Sequence, residues 1–348
     1  MSSSIGGLHQ NVMGLDIGSD NIKVVELKSV GSHFKLVGYA TAAINPHMLT
    51  KEGLAQGDVV AQKIIAACQS AKPNPIRSRI VATALPEELV FSKTLTIPRM
   101  KPREIAKVVP SEAAEFFPVP IHELLLDWTV LGSPKATQEI NVYVVGTPTV
   151  IVDSLLAALK SAGMEVVLLE TKSLATLRAL LGANDKGAWV VIDVGGEHTT
   201  VSIADSGALK LTGTVDTGGK AINQAMDYKP EEEKKLKTFD AAAQALTYDA
   251  LQQKLSVAAQ PIVQEVQNAV HYFQNRLNSK SKITAAFITG GGANVPGLIF
   301  HLKETLGMSI RLGNPLVNLV PSTADIFPTA IALGYTSAIG SALSKGVQ

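Results

Sequence analysis

Two short stretches put an acid, an apolar residue and a glycine at the same point between apolar runs: Leu15-Asp16-Ile17-Gly18-Ser19-Asp20-Asn21 and, far downstream, Ile192-Asp193-Val194-Gly195-Gly196-Glu197-His198-Thr199. A third stretch, Thr289-Gly290-Gly291-Gly292-Ala293, follows an apolar run and precedes a helix begun near Pro296. Glycine lets backbone N–H groups turn inward with no Cβ in the way, and hydroxyl or amide side chains add donors, so each Asp-x-Gly turn has the makings of a phosphate cradle. A carboxylate would repel phosphate directly. Its place beside such a cradle suits Mg²⁺ lying between the two, held through water, which makes Asp16 and Asp193 metal-side acids. Three glycines in a row let a planar or bulky ligand lie on bare backbone, and the helix start behind them favours anions. Taken singly, each Asp-x-Gly can also be read as an ordinary hairpin turn. The three in chain order on matching strand ends favour the cradle.

These residues need strands and turns to hold them. Residues 12–45 alternate apolar and polar positions in three bursts, as in an antiparallel meander. A helix is expected at 58–71 and a strand at "RIVATAL". Residues 86–165 then read as an inserted β-α-β-β-α unit, with a helix interrupted at Pro110 and another ending at Gly163. "MEVVLLET" resumes strand and "KSLATLRALLG" reads as a helix. From Trp189 the opening pattern starts again, with helices expected at 219–227, 231–238 and 248–278, a strand at "ITAAFIT", a short strand near "MSIRLG" and a final helix at 327–343. Two copies so far apart are a duplicated lobe and not a solenoid repeat.

Composition narrows the function classes. The 348 residues have room for about two domains, and a net charge of +1 without a long Lys/Arg run argues against a nucleic-acid partner. A lone Cys68, in the helical pattern "KIIAACQSAK", excludes an internal disulfide and a cysteine-built metal cluster and fits a reducing compartment. "MSSSIGGLHQN" lacks the charged start and apolar block of a signal peptide and reads as a flexible tail. Ile326–Ser344 is uncharged but rich in Thr, Ser, Gly and Ala and too poor in large apolar side chains for a span, so it reads as a buried helix. A cytoplasmic protein is expected.

The arrangement resembles the actin-like ATPase superfamily. Within it, "GLDIGSDNIKVVEL", "ATALPEELVFSKTLTIPRM", "EAAEFFPVPIHELLLDWTVLG" and "FITGGGANVPGL" resemble the PilM family of type IV pilus assembly proteins, from about Val12 to Gly340. The resemblance implies an α/β actin-like ATPase fold of two duplicated ribonuclease-H-like lobes: a tail at 1–11, a first lobe at 12–85 and 166–187, an inserted subdomain at 86–165, and a second lobe with a nucleotide-binding subdomain at 188–345. It implies ATP and Mg²⁺ as ligands, with Asp16, Gly18, Ser19, Asn21 and Lys23 in the first phosphate loop and Asp193, Gly195, Gly196 and Thr199 in the second. Gly218 and Gly219 line the second lobe, and Gly290, Gly291 and Gly292 flank adenosine. Relatives contact ribose or base through a Glu and a Lys on the helix matching "EEEKKLK"; Lys237 matches the Lys, Lys234 stands at the Glu position, and Glu233 is its substitute.

Catalysis, at most a slow ATPase, would draw on Asp16, Asp193 and an acid that orients water. Glu170 is the candidate, and it reads equally as a cap for the helix begun near Lys172. His198 is read as a surface loop residue in preference to a phosphate ligand. The implied function is a cytoplasmic scaffold whose nucleotide sets the angle between lobes. Its implied partner is the N-terminal cytoplasmic peptide of a PilN-like inner-membrane protein, seated between the inserted subdomain and the first lobe near Val90, Phe91, Phe116 and Phe117. Other platform or motor components and self-association are further implied partners, with the membrane reached only through partners. Two alternatives remain open. An FtsA-like membrane-bound filament protein would call for a basic amphipathic helix unlike "SAIGSALSKGVQ", and a sugar-kinase-type phosphotransferase would need an Asp general base beside an acceptor pocket.

Overall fold

The computed structural model describes residues 11–31, 33–131, 138–182, 185, 187–227, 241–277 and 281–344, with 241–251 and 284 described by backbone alone. In chain order it begins with β1 (Val12–Ile17), β2 (Asn21–Val30), β3 (His33–Ala43), β4 (Leu49–Thr50), β5 (Gly53–Leu54), α1 (Gly57–Ser70), β6 (Lys72–Pro73) and β7 (Ile80–Leu85). Next come β8 (Phe91–Pro98), α2 (Pro102–Ala114), β9 (Leu124–Leu131), β10 (Glu139–Pro148), α3 (Thr149–Ser161), β11 (Glu165–Thr171) and α4 (Lys172–Leu180). The rest comprises β12 (Ala188–Val194), β13 (Thr199–Asp205), β14 (Ala208–Val215), α5 (Gly219–Ala225), α6 (Ala241–Asn275), β15 (Ile283–Thr289), α7 (Leu298–Leu306), β16 (Ile310–Leu312), α8 (Thr323–Ile326), α9 (Thr329–Ala332) and α10 (Thr336–Ala342). The helix expected at 231–238 lies outside the described residues. Contacts divide the chain into unit 1 (Met1–Leu89, Pro148–Gly182, Asn314–Gln348) and unit 2 (Val90–Thr147, Ala183–Gly313).

Each unit carries the same sheet. Unit 1 has the order β11-β7-β1-β2-β3-β6 and unit 2 the order β16-β15-β12-β13-β14. In unit 1, β1 pairs antiparallel with β2, β2 antiparallel with β3, and β1 and β11 parallel with β7. In unit 2, β12, β13 and β14 repeat the meander while β12 and β16 run parallel with β15. Every residue of β12 is buried, as befits a central strand covered on both faces. One cover is α6, whose Leu255, Ala259, Ile262, Val263, Val266, Ala269 and Phe273 recur at helical spacing and join the core formed with β12, β13 and α7.

Unit 2 also holds a three-stranded sheet, β8-β10-β9, covered by α2. Pro102 opens α2 and the Glu104 carboxylate accepts the Lys101 N–H at 2.7 Å, so the helix starts where a proline and a capping acid would start it. The expected interruption at Pro110 does not occur. A proline removes only the bond to the carbonyl four residues back, here that of exposed Ala106, and buried Ile105, Val109 and Ala113 hold both halves on the sheet. Thr94 donates to the Lys210 carbonyl at 2.7 Å, and the Ser92 and Thr212 hydroxyls lie 2.9 Å apart, tying β8 to β14.

Two segments pack elsewhere than their place in the sequence suggested. Residues 148–165, expected in the inserted subdomain, belong to unit 1. The apolar stripe Ile151, Val152, Leu155, Ala158 and Leu159 of α3 is buried there, Gly57 of α1 abuts Ala158, and the Leu54 N–H donates to the Ser154 hydroxyl at 2.8 Å. The three-stranded sheet already has its cover in α2. Residues 314–344, expected in the second lobe, also belong to unit 1, where Leu316, Leu319, Phe327, Tyr335, Ala338, Ile339 and Leu343 pack on Val25, Leu27 and Leu36. The single helix expected at 327–343 is broken into pieces, with Pro328 preceding α9 and a 3₁₀ turn at Leu333–Tyr335 leading into α10.

Cys68 is buried and its thiol donates to the Met13 sulfur at 3.4 Å; burial pushes the thiol up to about 11, as suits a packing residue. No described helix is long and apolar enough to cross a membrane.

Candidate functional site

In unit 1 the polar turn joins β1 to β2. The Gly18 N–H donates to the Asn21 carbonyl at 2.9 Å, while the carbonyls of Asp20 and Ser19 accept from the N–H groups of Ile44 (2.9 Å) and His47 (3.3 Å), which fix the turn from behind. Asp16 sits at the end of β1, 2% exposed, opposite Lys23 of β2. Two buried oxygens here, Asp16 Oδ1 and Asn21 Oδ1, have no hydrogen-bond partner, although the Asn21 amide donates to Asp20 at 2.7 Å. Lys172, the first residue of α4, brings its ammonium to 3.8 Å from Asp16 Oδ1.

Glu170 stands level with Asp16, since both pair in register with Ala84 of the intervening β7. Its expected roles are corrected by its contacts. Both carboxylate oxygens are taken by the Arg178 guanidinium at 2.6 Å, in the bidentate fork that arginine favours, and Arg178 also donates to the Gly340 carbonyl at 2.9 Å. Glu170 therefore neither faces a water nor caps α4. It anchors α4 to β11 through Arg178, which itself reaches α10.

The cap comes from a residue that sequence reasoning passed over. Glu87, 5% exposed in the turn after β7, accepts the Ser173 N–H at 2.7 Å in the first turn of α4. Its only sequence signal is an acid after Pro86 at a strand end. Burial holds this carboxyl above its ordinary value of 4.5. The folded chain thus keeps a proton that the unfolded chain releases, so stability is highest below that ordinary value and falls as pH rises through the raised one, by about 1.4 kcal/mol per pH unit. Urea unfolding as the pH is raised from the ordinary carboxylate range is expected to show stability falling in the native chain, and Glu87→Gln is expected to lose that dependence.

Unit 2 repeats the turn. The Gly195 N–H donates to the His198 carbonyl at 2.9 Å, the counterpart of the Gly18–Asn21 bond. Asp193 ends β12, is 8% exposed and pairs in register with Thr289 of β15, so the triple glycine begins beside it. A Cβ on Gly218 would lie 2.5 Å from the Gly196 carbonyl, and one on Gly219 would lie 2.9 Å from the Gly292 Cα. The loops at 195–196, 218–219 and 290–292 therefore converge. The N–H groups of Gly219 and Lys220 donate to the carbonyls of Gly195 and Gly196 at 2.9 and 3.0 Å, which locks α5 to the turn. Gly290 adopts φ +83°, and a Cβ there would overlap the Val194 carbonyl and Asp193 Oδ1. Gly291 has nothing within 4 Å of its Cβ position.

Thr199 was expected to meet phosphate. It is fully buried and its hydroxyl donates to the Thr217 carbonyl at 2.6 Å, so it holds β13 to the segment entering α5. His198 Nδ1 lies 3.1 Å from exposed Asp216, in keeping with a surface residue. Glu233 and Lys237 lie outside the described residues. Among the apolar residues considered for a partner, Phe117 is in the core of the three-stranded sheet beside Phe91, whereas Phe116 is 51% exposed under the Lys93 ammonium.

Among the described residues no three His, Cys, Asp or Glu side chains gather as a metal cage. In unit 1 the carboxylate of Asp16, with its Oδ1 lacking a hydrogen-bond partner, fits a cation that keeps most of its water and takes its other ligands from phosphate, the habit of Mg²⁺.

A duplicated sheet with an Asp-x-Gly turn closing the first hairpin of each copy defines the actin-like ATPase fold. The chain belongs to the family of the type IV pilus assembly protein PilM, whose family model matches residues 14–345. The solved PilM-PilN type IV pilus biogenesis complex contains a chain 25% identical, superposing with a TM-score of 0.79 over 97% of this chain and 99% of that one. MreB 5 of Spiroplasma citri bound to AMPPNP shares the fold at 12% identity, with a TM-score of 0.50 and 94% of each chain covered. The cell division protein FtsA of Bacillus subtilis (strain 168) is 24% identical over 353 residues, 87% of this chain and 78% of its own length.

Proposed function

We propose that the protein is a cytoplasmic ATP-binding scaffold of a type IV pilus inner-membrane assembly platform, holding the N-terminal cytoplasmic segment of a PilN-like membrane protein. The observation that carries this reading is the likeness to the PilM-PilN complex across 97% of the chain, together with membership of the family. Asp16, Gly18, Ser19, Asn21 and Lys23 serve the nucleotide from unit 1, and Asp193, Gly195, Gly196, Gly218, Gly219 and Gly290–Gly292 serve it from unit 2. Asp16 and Asp193 are the residues that would hold Mg²⁺, which would supply positive charge to offset the phosphates. The chain reaches the inner membrane through its partner.

A synthetic peptide covering the cytoplasmic N-terminus of a PilN-like protein from the same organism tests the proposal. It is expected to bind and to slow hydrogen exchange within residues 86–165. Absence of binding and of protection would remove it. The FtsA relatives support a second reading, a filament protein on the membrane itself. Sedimentation of the chain with anionic lipid vesicles in the absence of peptide would favour that reading instead.

A further inference from the structure

Where the three-stranded sheet meets β14 and α6, all within unit 2, they enclose a cavity of about 290 Å³. Its two charged lining groups come from different elements, the Lys93 ammonium from β8 and the Glu265 carboxyl from α6. Lys93 rests against two rings, 4.9 Å from the centre of Phe116 and 5.9 Å from that of Tyr272, and among the described residues no carboxylate comes within ion-pair distance of it. A cation held by ring faces keeps its N–H donors for another acceptor. Glu265 is seated on the bare backbone of β14, where a Cβ on Gly213 would overlap its Oε1, and it hydrogen-bonds with Asn268. Burial pushes this carboxyl above its ordinary value of 4.5, the sign of an anion that no cation relieves.

The hydroxyls of the cavity tie the sheets together. Ser92 and Thr212 lie 2.9 Å apart, and the Tyr143 hydroxyl is 3.5 Å from that of Thr212. Recognition therefore falls to the two charges, with Leu211, Ala269 and the Tyr272 ring as apolar lining. A polyanion would satisfy Lys93 but bring like charge to Glu265, and a metal ion would meet one carboxylate and a repelling ammonium. A ligand with one charge of each sign answers both groups. Ligand sites run from roughly 300 to 1,000 Å³, so this one suits a molecule of few heavy atoms.

We propose that this cavity binds a free α-amino acid with an apolar side chain, its carboxylate on Lys93, its ammonium on Glu265 and its side chain against Leu211 and Ala269. The bound molecule bridges β8 to α6 and so braces the three-stranded sheet against the rest of unit 2. The inference stands apart from the nucleotide and PilN-like readings.

The test is saturation-transfer NMR on the full chain with valine, leucine, isoleucine, methionine and phenylalanine, each at about 5 mM, followed by titration of the strongest binder. At least one is expected to bind with a dissociation constant of about 1 mM or tighter. On the native chain its amide, which lacks the carboxylate, and its N-acetyl derivative, which lacks the ammonium, should each bind about tenfold more weakly, the worth of one charge-assisted contact. Lys93→Met should weaken the free amino acid by a similar factor and leave the amide unaffected, and Glu265→Gln should do the same with the N-acetyl derivative unaffected. The two derivatives keep the test decisive if either variant fails to fold. No binding by any of the amino acids, derivatives that bind as well as the parent, or variants that bind like the native chain would each overturn the inference. Displacement of the amino acid by the PilN-like peptide would give the cavity to a protein segment and overturn it likewise.

Discussion

Gly340→Val is expected to destabilise unit 1 by about 3 kcal/mol or more and to reduce the yield of folded protein sharply. Where α10 crosses α4, a Cβ on Gly340 would fall on the Ala175 carbonyl, and all three nearest atoms are backbone, so no side chain can move aside. Gly14 of β1 meets α10 in the same way, at the Ala338 carbonyl. The helix is therefore seated against the sheet and against α4 by two points of bare backbone, with the Glu170–Arg178 pair bonded to the Gly340 carbonyl alongside. Gly334→Ala is the control. Its Cβ position has nothing within 4 Å, and the variant is expected to unfold in urea with the native midpoint. A Gly340→Val protein as stable as the control would show that the crossing is looser than the structure has it.

Gly291→Leu is expected to keep native stability and to lower ATP affinity by about tenfold to a hundredfold, the cost of forcing side-chain volume against a bound ligand. The three consecutive glycines differ in what they face. Gly290 has a positive φ and a Cβ position filled by the Val194 carbonyl and Asp193, and Gly292 presses on the Val194 side chain. Substitutions at these two positions would damage unit 2 itself and report on folding. Among the described residues nothing lies within 4 Å of the Gly291 Cβ position, so a side chain there does not disturb packing and its effect on affinity tests the proposed adenosine role directly. Thermal unfolding together with mant-ATP titration separates the two effects. Loss of stability without loss of affinity in Gly291→Leu would contradict the adenosine role.

The antiparallel hairpins were legible because their causes are local. Alternation in 12–45, the buried run Ala188–Val194 and the repeated Asp-x-Gly at strand ends each mark a pairing that the sheet then makes. Helix placement in space was not legible. The stripe of α3 shows that one face must be buried, but not whether it meets the three-stranded sheet or α1, and that choice depended on α2 having taken the other site. The same limit applied to individual polar residues. Thr199 and Glu170 stand where a phosphate ligand and a water-orienting acid would stand, yet their partners, the Thr217 carbonyl and Arg178, are set by segments that the motif does not include. Glu87 escaped notice for the same reason, since its task is to cap a helix 86 positions away in sequence.

The proposed scaffold is expected to bind both nucleotide and a PilN-like segment, each changing the affinity for the other. Linkage requires each ligand to change the other's affinity by the same factor. The most direct measurement is the dissociation constant of the PilN-like N-terminal peptide for the full chain, determined by fluorescence anisotropy with and without saturating ATP. The account predicts binding in both conditions with constants that differ by about fivefold or more. Equal constants, or no binding in either, would contradict it.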